Sequence, residues 1–244
     1  MSGRFPGPAP AEEPACSRCG GDGFVLDERG EAVACDCRAA RVGRARSAGA
    51  SSVIPRRYRG VSFDRAPVSD LSPDVVRPVR SFCRNLDENI RNGRGLWFMG
   101  DVGTGKTTLA MLVSKEVLKR GSHVAIYSVP RLLAEIRDTY DAASGERSYA
   151  DFFAELVEVD LLHLDDLGAE RQTEWVLEQL YALINERYEQ ERSIVVTTNL
   201  IETEALEQQI GRRTVSRLME MTDQLPLFGP DLRERWDPAR SALG

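Results

Sequence analysis

Leu96-Trp-Phe-Met-Gly-Asp-Val-Gly-Thr-Gly-Lys-Thr-Thr-Leu109 is the stretch that decides the fold. From Gly100 to Thr107 it satisfies G-x-x-x-x-G-K-[ST], directly after an apolar, strand-like run. Leu109, Leu112, Val113 and Val117 then keep a helical period, so the pattern stands in the strand–loop–helix context it requires. Glycines at 100, 103 and 105 let the backbone curl so that its N–H groups face one concavity. The loop Gly100, Asp101, Val102, Gly103, Thr104, Gly105, Lys106, Thr107 and Thr108 is thus an expected nucleotide-binding cradle, and the positive end of the new helix adds to it. Lys106 is placed to reach the β- and γ-phosphates of ATP, and the Thr107 hydroxyl to ligate Mg²⁺.

Beyond the loop, apolar runs alternate with amphipathic ones, the sign of a parallel α/β sheet. Strands are expected at Leu96–Met99, His123–Tyr127, Leu161–Asp165, Ser193–Thr197 and Gln224–Phe228. Helices are expected at about 105–120, 130–141, 147–157 and 173–190, and another after the Ser72-Pro73 cap. Val76, Val79, Cys83, Leu86 and Ile90 fall on one stripe of that helix, which makes Cys83 a core residue. His123 and His163 sit in strand patterns without ligand spacing and read as core or edge residues.

In such sheets ligands gather at the carboxyl ends of the strands. One strand ends in Asp165-Asp166. Asp165 suits Mg²⁺ through water; Asp166 could polarise an attacking water, with Glu170 as the second candidate for that base. Another strand ends in Asn199, whose amide could orient water or touch the γ-phosphate.

A formal charge of −6 over 244 residues argues against a protein that coats nucleic acid by bulk electrostatics. Only Lys106, Lys115 and Lys119 are lysines, and one of the three is the phosphate-loop lysine. No apolar run reaches membrane-spanning length and no signal peptide is visible, so a cytoplasmic protein with reduced cysteines is expected, with no membrane partner.

Residues 1–14 have the composition of a disordered tail. In 15–38, Cys16-x-x-Cys19 and Cys35-x-Cys37 are separated by fifteen residues, with Phe24–Leu26 and Glu31–Val33 able to form a hairpin between them. Four thiolates suit a structural Zn²⁺ and leave no open position for catalysis; a redox dithiol would need a thioredoxin-like helix that this sequence lacks. Residues 39–60 contain six arginines and no acid. This stretch is a basic connector, either simply solvated or contacting phosphate or an acidic surface. Residues 61–244 form the expected ATPase domain.

Val159 through Glu170, with Trp175, Tyr188, Thr197-Thr-Asn199 and Gly211-Arg-Arg-Thr-Val-Ser-Arg-Leu-Met-Glu220, closely resemble the DnaC/DnaI-type helicase loaders. Those are AAA+ ATPases, and IstB transposition helpers share the core. The similarity spans about residues 52–235. It implies an AAA+ P-loop core with a five-stranded parallel sheet and a minimal lid, and the cysteine module resembles the helicase-binding domain of DnaI-like loaders, which IstB-type helpers lack. By the same resemblance Arg217 matches the arginine finger that completes a neighbour's site in an ATP-dependent oligomer, with Arg213 assisting. Arg233 resembles the second sensor and Asn199 the first.

Asp166 departs from the Glu usual in the wider class, which implies slow turnover. The expected partners are a replicative DNA helicase and single-stranded DNA, with Arg131, Arg137, Tyr140 and Arg147 available for DNA, and Tyr181 and Tyr188 as alternatives. Tyr58 and Phe63 either flank adenine or pack. An IstB-like helper of a transposase and a nucleotide-gated adaptor with little turnover are the rival readings.

Overall fold

The structure is a computed structural model that describes residues 24–26, 32–34, 54–140 and 147–232. The chain divides into two units, 1–45 and 46–244. In the first, β1 (Phe24–Leu26) and β2 (Ala32–Ala34) pair antiparallel, with Val25 opposite Val33. This is the expected hairpin, shifted by one residue on its second strand. Cys16, Cys19, Cys35 and Cys37 lie outside the described residues.

In the second unit the elements run α1 (Pro73–Arg84), α2 (Leu86–Arg91), β3 (Gly95–Gly100), α3 (Lys106–Lys119), β4 (Val124–Ser128), α4 (Val129–Asp138), α5 (Tyr149–Glu158), β5 (Leu161–Asp165), α6 (Glu174–Glu189), β6 (Ser193–Thr198), α7 (Thr203–Ile210), α8 (Arg212–Met221) and β7 (Thr222–Leu227). The five strands β3–β7 form one sheet in the order β4-β5-β6-β3-β7, and every neighbouring pair is parallel. This is the expected α/β architecture.

The phosphate-loop strand is buried along its whole length because helices cover both faces. Its residues alternate between two apolar layers. Leu96 and Phe98 face a core built with α1 and α3, where Val79, Leu109 and Leu112 sit. Trp97 and Met99 face the opposite core, built with Leu132, Leu156, Leu180, Ile210 and Leu218 of α4–α8. Arg187 of α6 is buried in that second layer, where Nη1 donates to the carbonyls of Leu156, Val157 and Val159 at 2.7–3.1 Å and Nη2 donates to Ser193 O. Burial is the main cause that lowers this guanidinium to about 9, with Arg192 adding to it. The sequence reading did not single Arg187 out.

The first helix start carries the expected Ser72-Pro73 cap, and two more helices are capped in the same way. Ser72, Ser148 and Thr173 each accept from a backbone N–H of the following first turn, and Pro73 occupies the first position of α1.

Three boundaries depart from expectation. The stripe from Val76 to Ile90 is not one helix: the chain breaks at Asn85, and Asn89 of α2 reaches back to Phe82 O at 3.0 Å. Cys83 is nevertheless a core residue, its thiol pushed up to about 12 chiefly by burial. The last strand ends at Leu227, and Phe228 lies beyond it, 64% exposed. Helices α7 and α8 fill 203–221, where no strong periodicity had been read.

Strand register brings the polar ends together. Gly100 pairs with Leu227, Met99 with Thr198 and Ser128 with Asp165. The phosphate loop, the Asp165-Asp166 turn and Asn199 therefore lie on one rim of the sheet.

Candidate nucleotide site

At that rim the loop takes the conformation that its glycines allow. Gly103 and Gly105 have φ of 78° and 100°, in the left-handed region. A Cβ on Gly100 would stand 1.9 Å from Leu227 O, so the close approach of β7 requires glycine there too. Lys106 is only 5% exposed, and its ammonium donates to the carbonyls of Gly100 at 2.9 Å and Asp101 at 2.5 Å. Thr104 Oγ1 donates to Asp101 O at 2.9 Å, which tightens the loop.

Beside the loop stands an oxygen cluster. Thr107 Oγ1 donates to Asp165 Oδ1 at 2.9 Å, and Thr197 Oγ1 donates to the same oxygen at 2.7 Å. Thr197 also accepts the backbone N–H of Asp166 at 2.9 Å. A hydroxyl and a carboxylate this close are the hard donors that Mg²⁺ takes, so Thr107 and Asp165 fit the ion expected of them. Thr197 belongs to the Thr197-Thr-Asn199 run that carries the family resemblance, but no site role was expected of it; a hydroxyl near the end of an apolar strand is the available signal.

Asp166 has φ of +58°, a left-handed conformation that an aspartate tolerates better than most residues but still at some cost. The turn that this makes puts Asp166 on the wall of a cavity of about 620 Å³. Lys106, Thr107, Thr108 and Asn199 line the same cavity. Glu170 does not. It is buried under the turn, its Oε2 accepting Gly168 N at 2.9 Å, and burial raises its carboxyl above the usual range against the pull of those backbone N–H groups.

The far wall of the cavity was only half legible. Tyr58 lines it with Arg57, Gly60, Val61 and Pro67, whereas Phe63 packs against the α1 core beneath Arg80, whose guanidinium is 4.6 Å from the ring. Leu232, just past β7, also lines the cavity, and its N–H donates to Gly103 O at 3.0 Å. Arg233 lies outside the described residues.

Arg217 does not line this cavity. On α8 it lies over the Tyr188 ring at 4.2 Å and donates to Asn185 Oδ1 at 3.1 Å. It faces a smaller recess of about 330 Å³ shared with Tyr181, Arg212, Arg213 and Ser216. Tyr188 OH donates to Glu220 at 2.6 Å.

Of the residues expected to meet DNA, Arg131 pairs with Glu135 at 2.8 Å and Arg147 pairs with Glu155. Arg137 lies over the Trp175 ring at 4.7 Å, and Tyr140, 52% exposed, stacks on Tyr149 at 5.3 Å.

Comparison with known proteins accords with this geometry. The sequence model of the family described as IstB-like ATP binding protein matches residues 62–220. The chain belongs to that family. Among curated relatives, the IstB-like chain is 34% identical over 163 residues to the uncharacterized protein YdaV of Escherichia coli K12, covering 66% of this chain and 62% of YdaV. It is 26% identical over 170 residues to the replicative helicase loader DnaC of the same organism, covering 70% of this chain and 64% of DnaC. The chain thus spans somewhat under two thirds of the length of these relatives. Among solved structures, the crystal structure of the DnaC helicase loader superposes with a TM-score of 0.62 at 28% identity, covering 71% of this chain and 99% of that one. The chain thus resembles the DnaC-type loaders in sequence, and its five-stranded parallel α/β sheet has their AAA+ P-loop-like fold. Among the described residues no helix is long and apolar enough to cross a membrane.

Proposed function

We propose that this IstB-like protein is an ATP-dependent loader of a replicative DNA helicase onto single-stranded DNA. One observation carries the chemistry: Lys106, Thr107, Asp166 and Asn199 share a single cavity, with Asp165 hydrogen-bonded to Thr107 at its edge. Its volume of about 620 Å³ is in the range of small-ligand sites, roughly 300–1,000 Å³. The Tyr58 wall would take the base and the loop N–H groups and Lys106 the phosphates, with Arg233 as a further phosphate contact. Mg²⁺, held by Thr107 and Asp165, would neutralise charge on the phosphates.

Each protein group has a task in hydrolysis. Asp166 accepts a proton from the attacking water, and the Asn199 amide orients that water. The shorter reach of Asp166, compared with the Glu usual in the wider class, makes turnover slow. Arg217, lying outside its own chain's cavity, supplies its guanidinium to a neighbour's γ-phosphate, so turnover requires assembly. Binding of single-stranded DNA would use Tyr140, whose exposed ring can stack on a base, and Arg137, whose guanidinium can meet phosphate.

The four cysteines would hold Zn²⁺ in a module that grips the helicase, with 1–14 as a disordered tail and 39–60 as a basic connector whose end, from Ile54 on, is held on the ATPase core, in a cytoplasmic protein. The rival reading, a helper of a transposase, comes from the resemblance to IstB-type proteins, whose family this chain shares.

A pull-down from host lysate separates the two: recovery of the replicative helicase supports the loader, and recovery of a transposase instead supports the helper. A steady-state phosphate-release assay with and without single-stranded DNA tests turnover, and no release under either condition would make the protein a nucleotide-gated adaptor.

A further inference from the structure

Lys115 has no place in the chemistry described above, yet it joins the two halves of the cavity. It lies on α3, nine residues after Lys106. At 1.5 Å per residue that is roughly 13 Å along one rigid helix. Its ammonium donates to Arg59 O and to Val61 O, both at 2.7 Å. The residue between those carbonyls, Gly60, lines the cavity, as do Tyr58 and Val61.

The segment that Lys115 grips has little regular structure of its own. It contains one short 3-10 turn, Arg56–Tyr58, and local hydrogen bonds from Tyr58 N to Pro55 O and from Val61 N to Tyr58 O. Arg59 Nε turns back to Ile54 O at 3.3 Å, again within the segment. Ile54 and Val61 anchor it by apolar burial, which fixes depth but not register because it is non-directional. Two hydrogen bonds from one charged donor to carbonyls two residues apart do fix register. Open space surrounds the Gly60 Cα on its side-chain side, so no packed side chain holds that peptide in place.

We propose that Lys115 is a positioning residue for nucleotide selection: it clamps the Arg59–Val61 backbone, and with it the Tyr58 wall, to the helix whose first turn carries Lys106 and Thr107. One helix then sets the distance between the subsite for the phosphates and the subsite for the base. This inference rests on the nucleotide-binding reading above. The ligand part affected is the nucleoside, because Lys115 touches neither the loop nor the Asp165 cluster.

The test compares two probes on the full chain. Binding of Mg²⁺–ATP and of Mg²⁺–tripolyphosphate, which has the phosphates without the nucleoside, is measured for wild type, Lys115→Met, Lys115→Gln and Lys115→Arg. The methionine keeps the apolar stem and removes the donors; the glutamine serves if the methionine variant folds poorly. The expected result is an affinity for ATP lowered about tenfold in Lys115→Met and Lys115→Gln, unchanged affinity for tripolyphosphate, and recovery of most of the loss in Lys115→Arg. Unchanged ATP affinity in both variants would overturn the proposal, as would an equal loss for both probes. A wild-type protein that binds tripolyphosphate but not ATP would overturn it as well, and one that binds neither would overturn the nucleotide reading itself.

Discussion

Asp165 Oδ1 accepts two hydroxyls at once, from Thr107 at 2.9 Å and from Thr197 at 2.7 Å. These three residues come from the phosphate-loop helix and two neighbouring strands, 58 and 32 residues from Asp165 along the chain. The carboxylate is thus oriented before any ligand arrives, and catalytic groups gain most when preorganised in this way. Asp165→Asn keeps the shape and removes the charge. Turnover of ATP is expected to fall by roughly a hundredfold or more, with a higher Mg²⁺ requirement. A Mg²⁺ titration of phosphate release checks this, and a wild-type titration curve would remove Asp165 from the metal site.

Arg217 tests assembly. In the single chain it rests on Tyr188 and Asn185, away from the cavity. Arg217→Ala should bind ATP like wild type but lose DNA-stimulated turnover. Mixing it with Lys106→Ala, which is expected not to bind nucleotide, should restore part of the turnover, at interfaces where the intact Lys106 site of one subunit meets the intact Arg217 of its neighbour. Unchanged turnover in Arg217→Ala would end the trans-acting role.

The buried arginine is a matter of stability alone. Arg187→Ala leaves the carbonyls of Leu156, Val157, Val159 and Ser193 without their donor, and opens a void between α6 and β6. Truncating so large a buried side chain and leaving those acceptors unsatisfied costs about 3–5 kcal/mol. Chemical denaturation should show that loss, and a change below about 1 kcal/mol would mean that the site repacks or hydrates easily.

His163 gives a pH signature. It is fully buried, its Nδ1 3.0 Å from Ser114 Oγ, and burial lowers its pKa from 6.5 to about 3. Between those values the unfolded chain binds a proton that the folded chain refuses. Stability is therefore fully present above about pH 6.5 and is lost as pH falls toward 3, by up to ~1.4 kcal/mol per pH unit. In His163→Gln the acid limb of the stability profile should be flatter by that slope; a parallel profile would show that another group dominates.

How much of this was legible in the sequence follows from where the signal is local. The loop from Gly100 to Thr108 and the Asp165-Asp166 turn are short, periodic and chemically distinctive, so their elements and their common rim could be read in advance. Asn199 was placed by the rule that ligands gather at strand ends. Helices α7 and α8 lie outside the expected spans, because at 8 and 10 residues each is too short to sustain a periodic stripe over several turns. The break at Asn85 was missed since the stripe continues through it in sequence while the backbone turns. Tyr58 and Phe63 look equivalent as an aromatic pair and both pack on the α1–α3 core; only Tyr58 also lines the cavity. Apart from the Arg187–Ser193 bond, Thr197, Arg187 and Lys115 act through partners 28–56 residues away, a relation that no local pattern carries.

The most direct test of the central claim is transfer of the purified host replicative helicase onto circular single-stranded DNA, read as DNA-bound helicase after a high-salt wash. The account predicts that wild-type protein with Mg²⁺–ATP raises the bound helicase well above the level reached by helicase alone, and that Lys106→Ala does not. Equal loading with wild type, with Lys106→Ala and without either would contradict it.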